Sequence, residues 1–94
     1  MSPRVRLSTL AVRDLARQRD YMTQPGAGKP AAKKLAALLR LLDRVPEEVE
    51  LHAADRFKSG YRGAILGGFT VQFRPDKAGR VFVRRIFGPG QSRG

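Results

Sequence analysis

Near Phe57 the apolar residues of this 94-residue chain stop recurring every three or four positions and begin to alternate. Alternation places successive side chains on opposite sides of a strand, so a period of two predicts a sheet. Two turns divide it. Gly67-Gly68 supplies the positive φ values that a primed two-residue hairpin demands, and Pro75-Asp76-Lys77-Ala78-Gly79 forms the second turn. Strands are expected over 61–66, 69–74 and 80–87, with 88–94 a flexible tail.

Upstream the pattern is helical. Val5 and Leu7 interleave with Arg4 and Arg6, as in a short edge strand. Ser8 or Thr9 then caps a helix to about Met22, with Val12, Leu15, Ala16 and Met22 spaced for one face. Gln24 to Lys29 reads as a break, and Pro30 suits the first turn of a second helix, where its missing N–H is harmless. There Ala31, Leu35, Leu38, Leu42 and Val45 repeat at four and three, Leu39 and Leu41 widen the stripe, and Pro46 ends it. Glu47 to His52 fits either a short helical turn or a loop. The order β-α-α-β-β-β predicts one α+β domain over 1–94. A helical hairpin would pack on a twisted, mainly antiparallel sheet and bury Leu35, Leu38 and Leu42.

The hairpin register separates the faces of that sheet. Leu66 opposite Phe69, Ala64 opposite Val71 and Arg62 opposite Phe73 point one way, toward the helices; Ile65 with Thr70, Gly63 with Gln72 and Tyr61 with Arg74 point the other. Across the second turn, Arg74 is expected to meet Arg80, Gln72 to meet Phe82 and Thr70 to meet Arg84, with Phe73–Val81 and Val71–Val83 in the core. A bulge at Arg84-Arg85 would return Ile86 to the core. The face away from the helices then gathers Tyr61, Thr70, Gln72, Arg74, Arg80, Phe82 and Arg84, a mixture able to stack on bases, grip phosphates or dock acidic side chains.

Charge singles out the same half of the chain. Residues 56–94 hold nine Lys and Arg against Asp76 alone, whereas residues 1–55 hold ten bases and seven acids, within a formal net charge of +11. Such a field draws in polyanions or an acidic protein. The chain has no cysteine, which excludes disulfides and thiol chemistry and suits a reducing cytoplasm. No apolar run approaches the roughly 20 residues that span a bilayer, so a soluble, cytoplasmic protein is expected.

Other motifs carry little. Gly26-Ala27-Gly28-Lys29-Pro30 lacks both the earlier glycine and the following Ser or Thr of a phosphate-binding loop. His52 stands alone as a ligand or base, and Glu47, Glu48 and Glu50 read as solvated acids rather than a metal site. No cofactor is indicated.

The chain resembles the RelE/ParE toxin superfamily over nearly its whole length. The resemblance is carried by Val5-Arg6-Leu7-Ser8 with Leu15, and by Leu38, Leu42, Asp43, Val45 and Pro46 after the second helix. It continues through Gly68-Phe69-Thr70-Val71-Gln72-Phe73-Arg74 and Val81-Phe82-Val83-Arg84-Arg85-Ile86-Phe87. It implies the toxin of a bacterial type II toxin–antitoxin module, in a hetero-oligomer with a cognate antitoxin whose acidic or amphipathic tail covers the active surface. ParE-like members poison DNA gyrase, whereas RelE-like members cleave mRNA on the ribosome.

The second pattern fits poorly. Thr70 stands where an arginine is expected, only Arg62 remains of a basic pair, and Gly88-Pro89-Gly90 replaces the basic and Tyr positions. The first also departs from its pattern, with Gly88 at a position commonly His. The gyrase branch is therefore the expectation, with a ribosome-dependent endoribonuclease or a non-enzymatic nucleic-acid-binding protein as alternatives. Residues expected to bind antitoxin or target are Tyr61, Arg62, Thr70, Gln72, Arg74, Arg80, Phe82, Arg84 and Arg85. In a ribonuclease, Arg62, Arg74, Arg84 and Tyr61 would carry catalysis, with His52 a further neutral candidate.

Overall fold

The computed structural model describes residues 4–22 and 28–88. Strand β1 (Val5–Leu7) leads through helices α1 (Thr9–Met22) and α2 (Gly28–Leu42) to strands β2 (Arg62–Leu66), β3 (Phe69–Pro75) and β4 (Val81–Phe87). The sheet runs β1-β4-β3-β2, antiparallel except where β1 lies parallel to β4. Both helices cover one face. Leu38, Leu42 and Val45, with Ala11 from α1, close on Ala64, Leu66, Phe69, Val71, Phe73, Val81, Val83 and Ile86.

Several boundaries differ from the sequence expectation. Gly28 and Lys29 already belong to α2, while 24–27, the rest of the expected break, lie outside the described residues. α2 ends at Leu42, and 3-10 turns at Val45–Glu47 and Val49–Leu51 carry the chain on, with Pro46 inside the first. Gly88 does not begin a tail. It is buried against α1, where an added Cβ would come within 2.5 Å of Gln18 Nε2. The remainder of the expected tail, 89–94, lies outside the described residues.

The hairpin forms as its glycines predict: Gly67 and Gly68 adopt φ of +58° and +90°, and β2 pairs with β3 in the expected register. The β3–β4 register does not. Arg74 pairs with Phe82 and Phe73 with Val83, two residues away from the expected alignment. Pro75 extends β3 opposite Val81, and the turn closes through a 3-10 segment, Lys77–Gly79, with Asp76 N–H donating to Arg80 C=O at 2.8 Å. A slip of two leaves every side chain on its original face, so the face assignment survives although the neighbours change. Past Phe73 the register shifts again. Gln72 pairs with Arg85 and Val71 with Ile86, so Arg84 is the extra residue of a bulge and Ile86 returns to the core.

α1 buries a different stripe from the one expected. Ala11 and Asp14 are buried and Leu15 and Gln18 partly so, whereas Val12 is 52% exposed. The stripe still has helical spacing, but a carboxylate sits at its centre, where hydropathy would place an apolar residue. Asp14, 2% exposed, accepts Nε–H and Nη2–H of Arg85 at 2.9 and 3.0 Å and the Ile86 backbone N–H at 2.8 Å. Arg17 adds a longer contact of 3.8 Å from one turn on.

β1 pairs with β4 only as far as Val83, so beyond it the edge of β4 needs other partners. Ser8, the α1 N-cap, donates its N–H to Val83 C=O at 2.9 Å and its hydroxyl to Arg84 C=O, while accepting Ala11 N–H at 2.9 Å. Asp14 then takes Ile86 N–H. Ser8 at the start of α1 and Asp14 in its second turn replace the strand that is missing.

The hydrogen bond to Asp14 holds the Arg85 guanidinium protonated above its ordinary range; desolvation pulls the other way, and the Asp14 charge adds to the rise. A raised folded-state pKa contributes stability that is complete below the ordinary arginine range and lost only as pH climbs through the raised value. The Arg85 side of the pair should therefore add no slope to stability between about pH 6 and 9. Asp14→Ala leaves Arg85 without its carboxylate and Ile86 N–H without an acceptor, and is expected to cost about 3 kcal/mol in urea unfolding. A loss below about 0.5 kcal/mol, the range of ordinary surface substitutions, would contradict this assignment.

Candidate functional site

The face of the sheet away from the helices is built around Phe82. Arg6 is its partner on β1 and Arg74 its partner on β3, so one ring stands between two arginines drawn from the neighbouring strands. Their guanidinium carbons lie 4.8 and 5.0 Å from the ring centroid. Both distances are cation–π contacts.

Beside this row lies a polar chain. Arg84 donates Nη1–H to Gln72 Oε1 at 2.9 Å, and Gln72 donates Nε2–H to Asp55 Oδ2 at 3.0 Å. Asp55 also accepts Phe57 N–H at 3.0 Å, which curls the 55–57 segment over the sheet. Gly63 permits the approach, since a Cβ there would stand 3.1 Å from Asp55 Oδ1. Gln72, expected as an exposed contact, is thus only 3% exposed and acts on Arg84 from beneath. At the open end of the face, Val5, Arg6, Asp76, Lys77 and Arg80 line a cleft in which Asp76 pairs with Arg6 at 3.3 Å.

Of the residues expected at the site, Arg74, Gln72, Phe82 and Arg84 come together here. The others do not. Arg80 lies in the turn at the rim rather than in β4 opposite Arg74. Thr70, half-buried, pairs with Phe87 beyond the bulge. Tyr61 precedes β2, its carbonyl accepting Asp55 N–H at 2.8 Å. Arg62 is on the helix side, donating to His52 C=O at 2.8 Å and lying 3.7 Å from Glu50. Arg85 is committed to Asp14.

Sequence reasoning missed Arg6 and Asp55. Arg6 carried a signal, because it alternates with buried Val5 and partly buried Leu7 and must face outward. Its neighbour depended on the parallel β1–β4 pairing, which no local pattern reports.

His52 is also on the helix side. Its ring meets Phe73 edge-on at 5.6 Å, and its Nε2 is buried with no hydrogen-bond partner among the described residues. It cannot exchange a proton with a substrate held at Arg74 and Arg84, which are across the sheet. The acids after α2 pair singly with arginines: Glu47 with Arg4 at 3.0 Å and Glu48 with Arg44 at 3.3 Å. Asp76 and Asp55 are likewise engaged, by Arg6 and Gln72. Arg74 and Arg84 have no carboxylate partner among the described residues, so the open face holds positive charge in fixed positions.

The family model described as the ParE toxin of the type II toxin-antitoxin system, parDE, matches residues 5–91. The chain belongs to the ParE toxin family. Among solved structures, a chain from a chromosomal ParDE toxin–antitoxin system of P. aeruginosa superposes with a TM-score of 0.71. The two are 18% identical, and the match covers 90% of this chain and 94% of the other. At that identity the likeness shows the shared fold, two helices on a four-stranded mixed sheet. No curated protein shows significant sequence similarity to the chain. The expected resemblance to the RelE/ParE superfamily, on the ParE side, is thereby shown.

In this ParE-family chain the Asp55–Gln72–Arg84 network is expected to support the fold as well as the face. Gln72→Leu keeps the size of the side chain but removes both hydrogen bonds. A loss of about 1–2 kcal/mol in chemical denaturation is expected. An unchanged midpoint would show that the network contributes nothing to stability.

Proposed function

We propose that this ParE-family toxin inhibits growth in the cytoplasm by poisoning DNA gyrase, and that a cognate antitoxin neutralises it by laying an acidic tail over the open face of the sheet. The observation that carries the reading is the pair Arg74 and Arg84. Both are ordered by internal contacts, and both lack a carboxylate partner among the described residues. Such a face binds anions, and the single histidine of the chain lies across the sheet from it, which favours a target inhibitor over a ribosome-dependent ribonuclease. The reading requires no cofactor or metal. Its site is Arg74, Arg84, Phe82 and Gln72, with Arg6 added and Arg80 at the rim.

Purified toxin added to gyrase, DNA and ATP is expected to abolish supercoiling and trap double-strand cleavage. Intact supercoiling at large molar excess would reject gyrase as the target. For the antitoxin, Arg74→Glu combined with Arg84→Glu is expected to weaken the complex at least about tenfold. Raising the salt should weaken the wild-type complex in the same direction. Affinity indifferent to both would remove the open face from the antitoxin interface.

A further inference from the structure

We infer that the open face is a binding surface for the phosphodiester backbone of duplex DNA, which this toxin would contact directly rather than only through a protein target. The choice of DNA over RNA rests on the gyrase reading. The choice of a backbone, and of a duplex, rests on the structure.

Three observations carry it. The first is where the uncompensated charge lies. The nearby carboxylates, Asp76 and Asp55, are engaged by Arg6 and Gln72, which leaves Arg74 and Arg84 to meet an external anion. Lys77 and Arg80 line the cleft at the end of the same face and extend the positive surface to the rim.

The second is the state of Phe82. Aromatic platforms bind single strands by stacking bases on an open ring. Here Arg6 and Arg74 already stand against the ring from its two neighbouring strands, so a stacking base would have to compete with two guanidinium groups. The exposed chemistry is guanidinium N–H, which is suited to phosphate oxygens.

The third concerns the alternative of an acidic protein partner. Protein interfaces gain most of their affinity from an apolar centre that excludes water. Arg74 and Arg84 flank a single ring, Phe82, rather than an apolar cluster. Of the exposed apolar side chains, Ile65 lies on β2 at the far edge of the sheet and Phe57 stands in the segment beside Asp55. A polymer with evenly repeated charges fits this surface better than a folded protein does. An acidic antitoxin tail, itself a polyanion, would then neutralise the toxin by taking the places of phosphates.

The test is fluorescence anisotropy of the full chain, without gyrase, on a labelled duplex of about 20 base pairs over a salt series. Binding is expected at about 50 mM salt and to fall linearly in log–log form as salt rises. Arg74→Ala with Arg84→Ala should weaken it about tenfold or more and reduce the salt slope by about two. Lys33→Ala with Lys34→Ala removes the same charge from the exposed flank of α2 and should cost less. Should the double variant melt early, Arg74→Ala alone should lower the slope by about one.

No binding at low salt would overturn the inference. Equal losses from the two pairs would do so as well, because net charge rather than this face would then be responsible. Tighter binding to a single strand of equal length would also overturn it, since that requires an accessible ring. Capture of polyglutamate but not of duplex would reassign the face to an acidic protein. If the wild-type chain traps gyrase but binds no duplex on its own, this inference fails and the gyrase reading stands. If duplex is bound and gyrase is unaffected, the gyrase reading fails and this inference stands.

Discussion

A carboxylate buried at the point where a sheet runs out of strands is the interaction on which the rest of this molecule depends. β1 is three residues long and β4 is seven, so half of the β4 edge would face α1 with its backbone groups unpaired. An unpaired buried N–H costs about as much as a lost hydrogen bond. Asp14 removes that cost at Ile86, and its second oxygen leaves room for the fork of Arg85. Because Ser8 ties Arg84 C=O in the same stretch, the bulge has anchors on both sides. The bulge decides which arginine faces inward. Arg85 goes to Asp14, Ile86 returns to the core, and Arg84 is left for the open face. A single helix start thus fixes both the edge of the sheet and the composition of its functional surface.

This explains which parts of the structure could be read from the sequence. The hairpin at Gly67-Gly68, the sides of its strands, the bulge after Val83 and the α2 stripe of Leu35, Leu38 and Leu42 all follow from local rules of backbone sign and periodicity, whereas Leu39, expected to widen that stripe, is exposed. Each depends on residues within a few positions of one another. The α1 stripe did not follow, because its central contact is ionic and its partner is 71 positions away. Hydropathy treats Asp14 as a surface residue and so rotates the expected face toward Val12. The β3–β4 register failed for a related reason. The turn closes through Asp76 and Arg80, which lets Pro75 join the strand, and no apolar periodicity distinguishes that closure from one two residues tighter.

The candidate site was legible as a face and illegible as a set of neighbours. An even slip in register kept Arg74, Phe82, Gln72 and Arg84 on the open side. It also replaced the expected Arg74–Arg80 pair by Arg74 against Phe82, which turns a repulsive contact into an attractive one. Arg80 fell out because it lies beyond the end of its strand, and Arg62 because the segment after α2 claims it through His52. Arg6 entered through a parallel pairing between the first strand and the last, a contact that only the complete fold specifies.

The distribution of acids gives the face its character. Glu47, Glu48 and Glu50 pair with Arg4, Arg44 and Arg62, and Asp14 pairs with Arg85, so these carboxylates neutralise arginines at the helix side or the periphery. On the side of the sheet with no covering layer, Arg74 and Arg84 keep their charge without a carboxylate partner among the described residues. Holding like charges close together works against folding, and here the protein limits that cost with neutral partners, a phenyl ring for Arg74 and an amide for Arg84. Neutral partners order a guanidinium without discharging it, and a carboxylate would have ended its attraction for anything else. Since an anion bound to the native face relieves the remaining repulsion, binding and stability are linked: whatever polyanion occupies this surface must also raise the free energy of unfolding.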